Sequence, residues 1–283
     1  MSIYLTGDIH GDVEKRFYSW NAPWQPRNEP GSLSFSWLEH WLPSSQNDTL
    51  IILGDFGVLW YNKEDRERRF CEEVQLLKLL DKLGCTVLFL DGNHENHPRL
   101  KALPTVQLFG APAGKVENAE HVFHLRRGEI YEIEGKSFFV MGGATSVDRA
   151  RRIPGSSWWP GENITAAELR HGLDNLYAHG NRVDYVLTHT APLHIGLEMF
   201  PDERDEPQFE DPTAEKLEKV FKRISFKNWF FGHMHVNRII QSDPRFVALF
   251  DRIIDLDRLD EAELPLTGEV CATRFERKFL PFR

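Results

Sequence analysis

The chain has 283 residues, of which 41% are hydrophobic and 27% are charged, and its formal net charge at pH 7 is −9. This length is enough for one large domain with a substantial core, and no apolar stretch approaches the roughly 18 residues of a membrane-spanning helix. Proteins that bind extended nucleic acid through its phosphates usually present a broad basic face, so the acidic balance argues against that class and against binding to membrane surfaces.

The cysteine content and the first residues favour a reducing compartment. Cys71, Cys85 and Cys271 are widely spaced and odd in number, as expected for free thiols in a reducing environment. No basic and apolar leader precedes the first predicted strand, which begins at Ile3. We therefore expect a cytoplasmic protein, and the sequence does not indicate its oligomeric state.

The N-terminal part of the chain predicts strands linked by a helix. Its short apolar runs, which are typical of buried strands, are residues 3–5, 50–53 and 86–90. Residues 63–83 have the apolar periodicity of an amphipathic helix that ends at Gly84. Residues 19–47 are rich in Trp, Pro and Ser, and we interpret them as an elaborated loop with a short helix at residues 37–42.

The middle of the chain predicts an antiparallel unit and then a helix. The antiparallel strands are predicted at residues 122–125, 130–133 and 137–141. Gly128 and Gly135 are predicted to supply the turns between them. Residues 165–178 have helical periodicity, and Thr165 and Glu168 stand at the spacing of a capping box at its start.

The C-terminal part repeats the alternation of strands and helices. Residues 185–187 and 229–231 are apolar runs that predict buried strands, and residues 213–224 predict a helix between them. Residues 201–212 are acidic and bounded by Pro, which indicates an exposed loop. Residues 251–283 have strand-like starts without clear chemistry, and we interpret them as a peripheral extension.

These elements together predict the architecture. Helix-linked strands with an inserted antiparallel unit indicate two packed sheets with helices outside them. No repeat or linker divides the sequence, so we expect a single domain over residues 1–283, with residues 19–47 and 251–283 as elaborations.

Each of the five helix-linked strands ends in a small cluster of polar residues. The clusters contain Asp8 and His10, Asp55, Asn93 and His94, His189, and His233 and His235. Active sites of open α/β sheets gather beyond the carboxyl ends of the strands. Carboxylate, imidazole and amide groups form a ligand set that suits divalent cations such as manganese, iron or zinc.

The spacing within these clusters is informative. In extended backbone, the side chains of Asp8 and His10 would face the same way, and the same holds for His233 and His235, so that each short segment could supply two ligands. The glycines before the ligands, which predict close approach of the backbone, are Gly7, Gly54, Gly92 and Gly232. An isolated Asp-x-His is usually a turn and an isolated core histidine is usually structural, but five such clusters behind five predicted strands indicate a metal site.

The order Asp-x-His, Gly-Asp, Gly-Asn-His-Glu, His and Gly-His-x-His, from Asp8 to His235, resembles that of the calcineurin-like metallophosphoesterase superfamily. The resemblance implies an α/β (α+β) protein, a four-layer α/β/β/α sandwich of two mixed β-sheets. The residues implied to hold one metal ion are Asp8, His10 and His235, and those implied to hold the other are Asn93, His189 and His233. Asp55 would bridge the two ions, and His94 would lie over the substrate.

Such a centre would hydrolyse phosphoesters. Two divalent metal ions, with manganese as the first choice and iron or zinc as alternatives, acidify a bridging water, and the resulting hydroxide attacks phosphorus in line. Asp55 and His94 are the predicted catalytic residues. His94, oriented by a carboxylate such as Asp55 or Asp91, would donate to the phosphate or protonate the leaving oxygen.

The substrate is less clearly indicated. Arg149, Arg152 and Trp158 lie in a segment that could bind a phosphorylated small molecule or a nucleotide-like ligand, although a solvated loop with its tryptophans in the core is the alternative. A protein Ser/Thr phosphatase is a further alternative, but that subfamily has Val-Asp-Arg-Gly after its bridging Asp, where this chain has Phe56-Gly57. A nuclease would need a longer basic track, and a non-catalytic scaffold would not need every ligand position filled.

Overall fold

The structure, a computed structural model, describes residues 1–18, 46–200, 211–240, 244–261 and 264. Several predictions lie wholly or mostly outside these residues. They concern the elaborated loop at 19–47 with its helix at 37–42, the acidic loop at 201–212, and the greater part of the tail at 251–283.

The described residues form strands and helices that alternate along much of the chain. The strands are β1 (Ile3–Thr6), β2 (Thr49–Ile52), β3 (Thr86–Phe89), β4 (Thr105–Leu108), β5 (Ala111–Lys115), β6 (Val122–Leu125), β7 (Ile130–Ile133), β8 (Lys136–Met141), β9 (Tyr185–Thr188), β10 (Asn228–Phe231), β11 (Arg238–Ile240), β12 (Arg245–Ala248) and β13 (Ile253–Asp255). The α-helices are α1 (Val13–Tyr18), α2 (Lys63–Asp81), α3 (His97–Ala102), α4 (Ala166–Ala178), α5 (Leu193–Met199) and α6 (Pro212–Phe221). None of these helices combines the length and the apolar character that crossing a lipid bilayer requires.

Within the described ranges the strands form two mixed sheets. The seven-stranded sheet has the order β13-β1-β2-β3-β6-β5-β4, with β1, β2, β3 and β6 parallel and the other strands antiparallel to their neighbours. The six-stranded sheet has the order β11-β12-β10-β9-β8-β7, with parallel pairing from β12 to β8. The prediction of two mixed sheets is confirmed.

Three clusters of buried side chains define the layers. Leu53 and Phe230, which come from different sheets, belong to a cluster between the two sheets. Ile52, on the opposite face of the first sheet, shares a second cluster with Leu77 of α2. Trp229, on the outer face of the second sheet, belongs to a third cluster with residues of α4 and α6. The molecule is therefore the expected four-layer α/β/β/α sandwich, and strands buried on both faces explain the continuous apolar runs of the sequence.

The predicted helices are present with small differences at their ends. The helix predicted at residues 63–83 is α2, which ends at Asp81, and the helix predicted at residues 213–224 is α6, which runs from Pro212 to Phe221. The predicted capping box is confirmed. Glu168 N donates to Thr165 Oγ1 at 3.1 Å, and Thr165 N donates to Glu168 Oε2 at 2.7 Å, so that two amides of the first turn of α4 are satisfied.

The predicted three-stranded antiparallel unit is wrong in its pairing. β6 lies in the seven-stranded sheet, parallel to β3 and antiparallel to β5, whereas β7 and β8 form a hairpin in the other sheet. The chain crosses between the sheets beyond Leu125, where Tyr131 Oη accepts from Arg126 N and donates to Pro112 O, both at 2.8 Å. Alternation of apolar residues marks a strand but does not state which sheet it joins.

The described part of the tail at 251–283 contributes an edge strand to the seven-stranded sheet. β13 pairs antiparallel with β1, and Ile254 lies opposite Leu5 in the register. Its three residues are buried, because they form part of the sheet that supports the first polar cluster. The sequence analysis did not predict β4, β5, β11 or β12, which are short or partly exposed strands toward the edges of the two sheets.

Candidate metal centre

The loops that follow five strands meet at one edge of the molecule, between the two sheets. The loops after β1, β2 and β3 extend from the seven-stranded sheet, and those after β9 and β10 extend from the six-stranded sheet. The carboxyl ends of parallel strands share one edge of a sheet, so the polar residues beyond them converge. The predicted ligands that the structure brings together here are Asp8, His10, Asp55, Asn93, His189, His233 and His235.

Four of these residues form a compact group that can hold one cation. Each of Asp8, His10, Asp55 and His235 offers a ligand atom, and these atoms lie within 4.8 Å of one another. His235 Nε2 is 3.1 Å from His10 Nε2 and 3.1 Å from Asp8 Oδ2. Two nitrogens bound to one ion at about 2.1 Å, with about 90° between the bonds, lie about 3.0 Å apart, so this group fits a divalent cation.

A second group lies on the other side of Asp55. His189 Nδ1 donates to Leu53 O at 2.7 Å, which directs Nε2 into the site. Nε2 is 3.1 Å from Asn93 Oδ1 and 3.3 Å from Asp55 Oδ1. The ring of His233 lies beside that of His189, with 5.0 Å between the centroids. Carboxylate and amide oxygens that face an imidazole nitrogen need a proton or a cation between them, so this group also suits a metal ion.

The charges of the buried groups agree with a site for cations. Burial disfavours charge on His189, yet the carboxylates of Asp55 and Asp8 raise the pKa of this histidine to about 10. Burial also opposes ionisation of the two carboxyls, but His189 lowers the pKa of Asp8 and holds that of Asp55 well below its usual range. The two carboxylates therefore stay ionised, and positive charge, on His189 or on a bound cation that takes the place of its proton, balances them.

Four of the predicted ligands have backbone in the left-handed region. The φ angles are 48° at His10, 44° at Asp55, 64° at His233 and 51° at His235. This conformation costs non-glycine residues roughly 1–3 kcal/mol each and is concentrated at functional sites. The expectation of extended backbone at these segments is therefore wrong, although Asp8 and His10 do supply two donors to one group, as the spacing predicted. Left-handed turns direct these side chains inward instead.

The glycines before the ligands allow the backbone to lie close to the ligand side chains, as the sequence predicts. A Cβ atom at Gly92 would lie 2.7 Å from His189 Nε2 and closer still to Asp55 Oδ1. A Cβ atom at Gly232 would lie 2.9 Å from Leu53 O and closer still to the carboxylate of Asp8. Side chains at these positions would occupy the space of the ligands themselves.

His94 lies at the rim of the two groups. Its backbone N–H donates to Asp55 Oδ1 at 2.8 Å, and its Nε2 is 4.0 Å from Asp55 Oδ2. Arg152 Nη2 lies 3.3 Å from the same nitrogen. Burial, together with the guanidinium of Arg152, lowers the pKa of His94 to about 4. His94 is therefore a neutral imidazole beside an arginine, with 18% of its side chain exposed.

Asp91, one of the two carboxylates considered for orienting His94, is engaged by other side chains. Its Oδ2 accepts from Arg127 Nε at 2.9 Å and from Nη2 at 2.5 Å, and its Oδ1 is 3.4 Å from His124 Nε2. A buried carboxylate needs a partner of opposite charge, and Arg127 supplies it. Arg127 also donates to the carbonyl of Glu162, which ties the loop beyond β8 to this strand end.

The three predicted substrate-binding residues lie on that loop. The guanidinium of Arg149 stacks over the ring of Trp158, 4.4 Å from its centroid. Arg152 Nε donates to Asp148 Oδ1 at 2.6 Å, and Arg152 Nη2 contacts His94. Arg152 therefore reaches the metal-binding edge, and Trp158 is half-buried rather than a core residue. Trp159 is buried, in agreement with the structural alternative.

Two residues beside a predicted ligand were not identified from the sequence: Ser146 contacts Asn93, and Glu162 contacts Ser146. Asn93 Nδ2 donates to Ser146 Oγ at 3.1 Å, and Ser146 Oγ donates to Glu162 Oε2 at 2.6 Å. Ser146 stands 53 positions beyond Asn93 in the chain, and neither it nor Glu162 belongs to a motif. The run of small residues after β8 was the available signal, but the segment was interpreted only through its arginines and tryptophans.

Comparison with solved structures shows distant similarity. One solved structure with 11% identity covers 91% of this chain and 95% of its own, with a TM-score of 0.49. A sulfate thiohydrolase, SoxB of Thermus thermophilus, in complex with glycerol, has 16% identity and a TM-score of 0.38, and the alignment covers 77% of this chain and 40% of that one. No curated protein matches this chain.

The comparison with family models is more informative. The model described as calcineurin-like phosphoesterase matches residues 1–237. This span contains every strand end that contributes to the two groups, from Asp8 to His235. The chain therefore belongs to the calcineurin-like phosphoesterase family.

Proposed function

We propose that this protein hydrolyses phosphoesters at a pair of divalent metal ions bridged by Asp55. Membership of the family and the four-residue donor group make it a metal-dependent phosphoester hydrolase. One observation carries the finer proposal: the two carboxylate oxygens of Asp55 face different groups. Oδ2 is 3.8 Å from His10 Nε2, and Oδ1 is 3.3 Å from His189 Nε2.

The remaining ligands divide accordingly. Those that would hold one ion with Asp55 are Asp8, His10 and His235, and those that would hold the other are Asn93, His189 and His233. When bound, two such cations would acidify water and neutralise the charge of a phosphate. The neutral amide of Asn93 limits the negative charge that an anionic substrate meets. Manganese is our first choice, and iron or zinc would fit the same mixture of oxygen and nitrogen donors.

Arg152 and His94 would face the substrate. Asp148 and the carbonyl of Ser157 hold the Arg152 guanidinium at 2.6 and 3.0 Å, so this fork is oriented before a phosphate arrives. His94 lies beside it. A bound anion would favour the protonated form of His94, which would then donate to the phosphate or the leaving oxygen. Arg149 and Trp158 would then contact the organic part of a phosphorylated small molecule or nucleotide-like substrate.

Other functions receive less support. Arg149, Arg151 and Arg152 lie on one loop beside the site, and the net charge is −9, so a nuclease that tracks along nucleic acid is not favoured. A protein phosphatase would grip phosphate with the arginine of a Val-Asp-Arg-Gly sequence that follows its bridging Asp, and this chain has Phe56-Gly57 after Asp55 instead. The cytoplasmic location remains a prediction, in keeping with the free thiols of Cys71 and Cys85.

The function is tested by assaying the protein against p-nitrophenyl phosphate and its bis ester, with manganese and with a chelator. We expect turnover that manganese supports and the chelator abolishes. A panel of cyclic nucleotides, dinucleotides, short RNA and DNA, and phosphopeptides then identifies the substrate class. A protein that binds manganese but hydrolyses none of these esters would be a scaffold, which would contradict the proposal.

We expect His94→Ala to keep its metal ions and to lose most of its turnover. Acid–base groups contribute about 10²- to 10⁴-fold, and His94 reaches the metal centre without belonging to either group of donors. The measurements are kcat and the metal content of the purified variant. His121→Ala removes a half-exposed imidazole remote from the site and serves as the control. Turnover of His94→Ala at the wild-type rate would exclude this residue from the chemistry.

We expect Arg152→Ala to raise KM about 10- to 100-fold while metal content stays unchanged, because a hydrogen bond to a charged group contributes about 1.5–3 kcal/mol. Arg151→Ala, which removes the exposed neighbouring arginine, is the matched control. The kinetic comparison uses the best substrate of the panel. Equal KM values for the two variants would show that Arg152 does not bind the phosphate.

A further inference from the structure

We propose that Ser146 and Glu162 are positioning residues that fix the orientation of the Asn93 amide at the metal centre. The inference rests on the proposed role of Asn93 as a ligand and extends it to two residues outside the recognised motifs. An amide can point either its oxygen or its NH₂ group at a cation, and only the oxygen can bind. An amide ligand therefore needs a neighbouring group that binds its NH₂ group and leaves its oxygen directed at the cation.

The direction of the hydrogen bonds supplies this distinction. Ser146 N, which can only donate, is 3.2 Å from Glu162 Oε2, so this oxygen is an acceptor. The Ser146 hydroxyl is 2.6 Å from the same oxygen and gives its single proton to it. Ser146 Oγ can then only accept from Asn93, 3.1 Å away, and the atom that faces it must be Nδ2.

The opposite side of the Asn93 amide faces the metal-binding groups. With Nδ2 directed at Ser146, Oδ1 points into the site, 3.1 Å from His189 Nε2. A flipped amide would present N–H groups to the space that a cation would occupy. The flip would also set Oδ1 against a hydroxyl oxygen whose proton is already committed to Glu162. The pair of residues thus opposes the orientation that cannot bind metal.

Burial prevents water from replacing this arrangement. Asn93, Ser146 and Glu162 are exposed by 3%, 4% and 1%. The backbone carbonyl of Glu162 accepts from Arg127 Nη2 at 3.0 Å, and Arg127 also binds Asp91, two residues before Asn93. The loop beyond β8 is therefore fastened to the end of β3 at two points. An orienting contact needs this rigidity, because a mobile serine would tolerate either end of the amide.

The test measures metal binding in Ser146→Ala by titration calorimetry of the chelator-treated protein with manganese chloride, together with metal analysis. We expect the affinity for one of two ions to fall about 10- to 100-fold while the other is unchanged, as is typical when the partner of a metal ligand is removed. Ser146→Thr keeps the hydroxyl and should restore both affinities. Should Ser146→Ala not fold, Glu162→Ala removes the acceptor of the Ser146 hydroxyl and tests the same chain of hydrogen bonds, and we expect about tenfold weaker binding of the same ion.

Thr145→Ala is the matched control. Thr145 Oγ1 anchors the same loop through Asn163 and Asp211, at 2.6 and 2.9 Å, without touching Asn93. Wild-type affinity for both ions in Ser146→Ala, or an equal loss in Thr145→Ala, would overturn the inference. Two further measurements separate failure of the ligand assignment from failure of the proposed hydrolysis. Wild-type metal binding in Asn93→Ala would refute Asn93 as a ligand. Inactivity of the metal-loaded wild-type protein would refute only the proposed hydrolysis.

Discussion

Asp55→Asn is expected to lose at least one metal ion and nearly all phosphoesterase activity. Asp55 is the residue whose two oxygens face both groups of donors, and an amide has only one oxygen to offer. The substitution also removes a negative charge from a site whose carboxylates attract cations. Loss of a metal ion removes several kcal/mol of transition-state stabilisation, so we expect kcat to fall about a thousandfold or more.

The measurements for Asp55→Asn are elemental analysis and steady-state kinetics with manganese present. Asp174→Asn makes the same chemical change on the exposed face of α4 and should leave both quantities unchanged. Circular dichroism of the two variants verifies that they fold. A normal metal content in Asp55→Asn would refute its bridging role.

Gly92→Ala is expected to damage the site almost as severely, although it removes no functional group. The added Cβ would lie 2.7 Å from His189 Nε2 and would overlap both the backbone nitrogen and the carboxylate of Asp55. Overlap with backbone cannot be relieved by a change of rotamer, so the loops after β2 and β3 must move apart. A displacement of about 1 Å can cost a hundredfold in rate, and we expect at least that loss together with reduced metal content.

The matched control is Gly196→Ala. Gly196 lies in α5, where the nearest atom to an added Cβ is Met234 Cε at 3.9 Å, an ordinary contact. Metal content and kcat should therefore stay at the wild-type level in this variant. Retention of both metal and activity in Gly92→Ala would mean that the two loops are not packed as closely as the structure indicates.

The layers of the fold could be predicted from the sequence because the central strands are buried on both faces. Runs such as residues 50–53 are apolar throughout for that reason, and the polar residues directly behind them mark the strand ends. The pairing of β6, β7 and β8 could not be predicted, because pairing depends on contacts with strands distant in the chain. β13 was missed for the same reason, since its partner β1 lies about 250 residues earlier.

The ligands themselves could be proposed from the sequence, but the way they are held could not. The turns at His10 and Asp55 take left-handed backbone that nothing in their residue types requires. Hydrogen bonds between loops hold them, such as that from His10 N to Asp55 O at 2.8 Å. Ser146 and Glu162 belong to the same category, because their role depends on a contact across 53 residues and not on a local pattern.

The predicted metal ligands come from both sheets, so metal binding is coupled to the stability of the folded state. Asp8, Asp55 and Asn93 extend from one sheet, whereas His189 and His235 extend from the other, so any ion bound by both sets joins the two halves of the sandwich. A ligand that binds only the folded state stabilises it in proportion to the logarithm of its free concentration. Separation of the sheets would release the ions, so the folded population of this protein would vary with the divalent-cation supply of its surroundings.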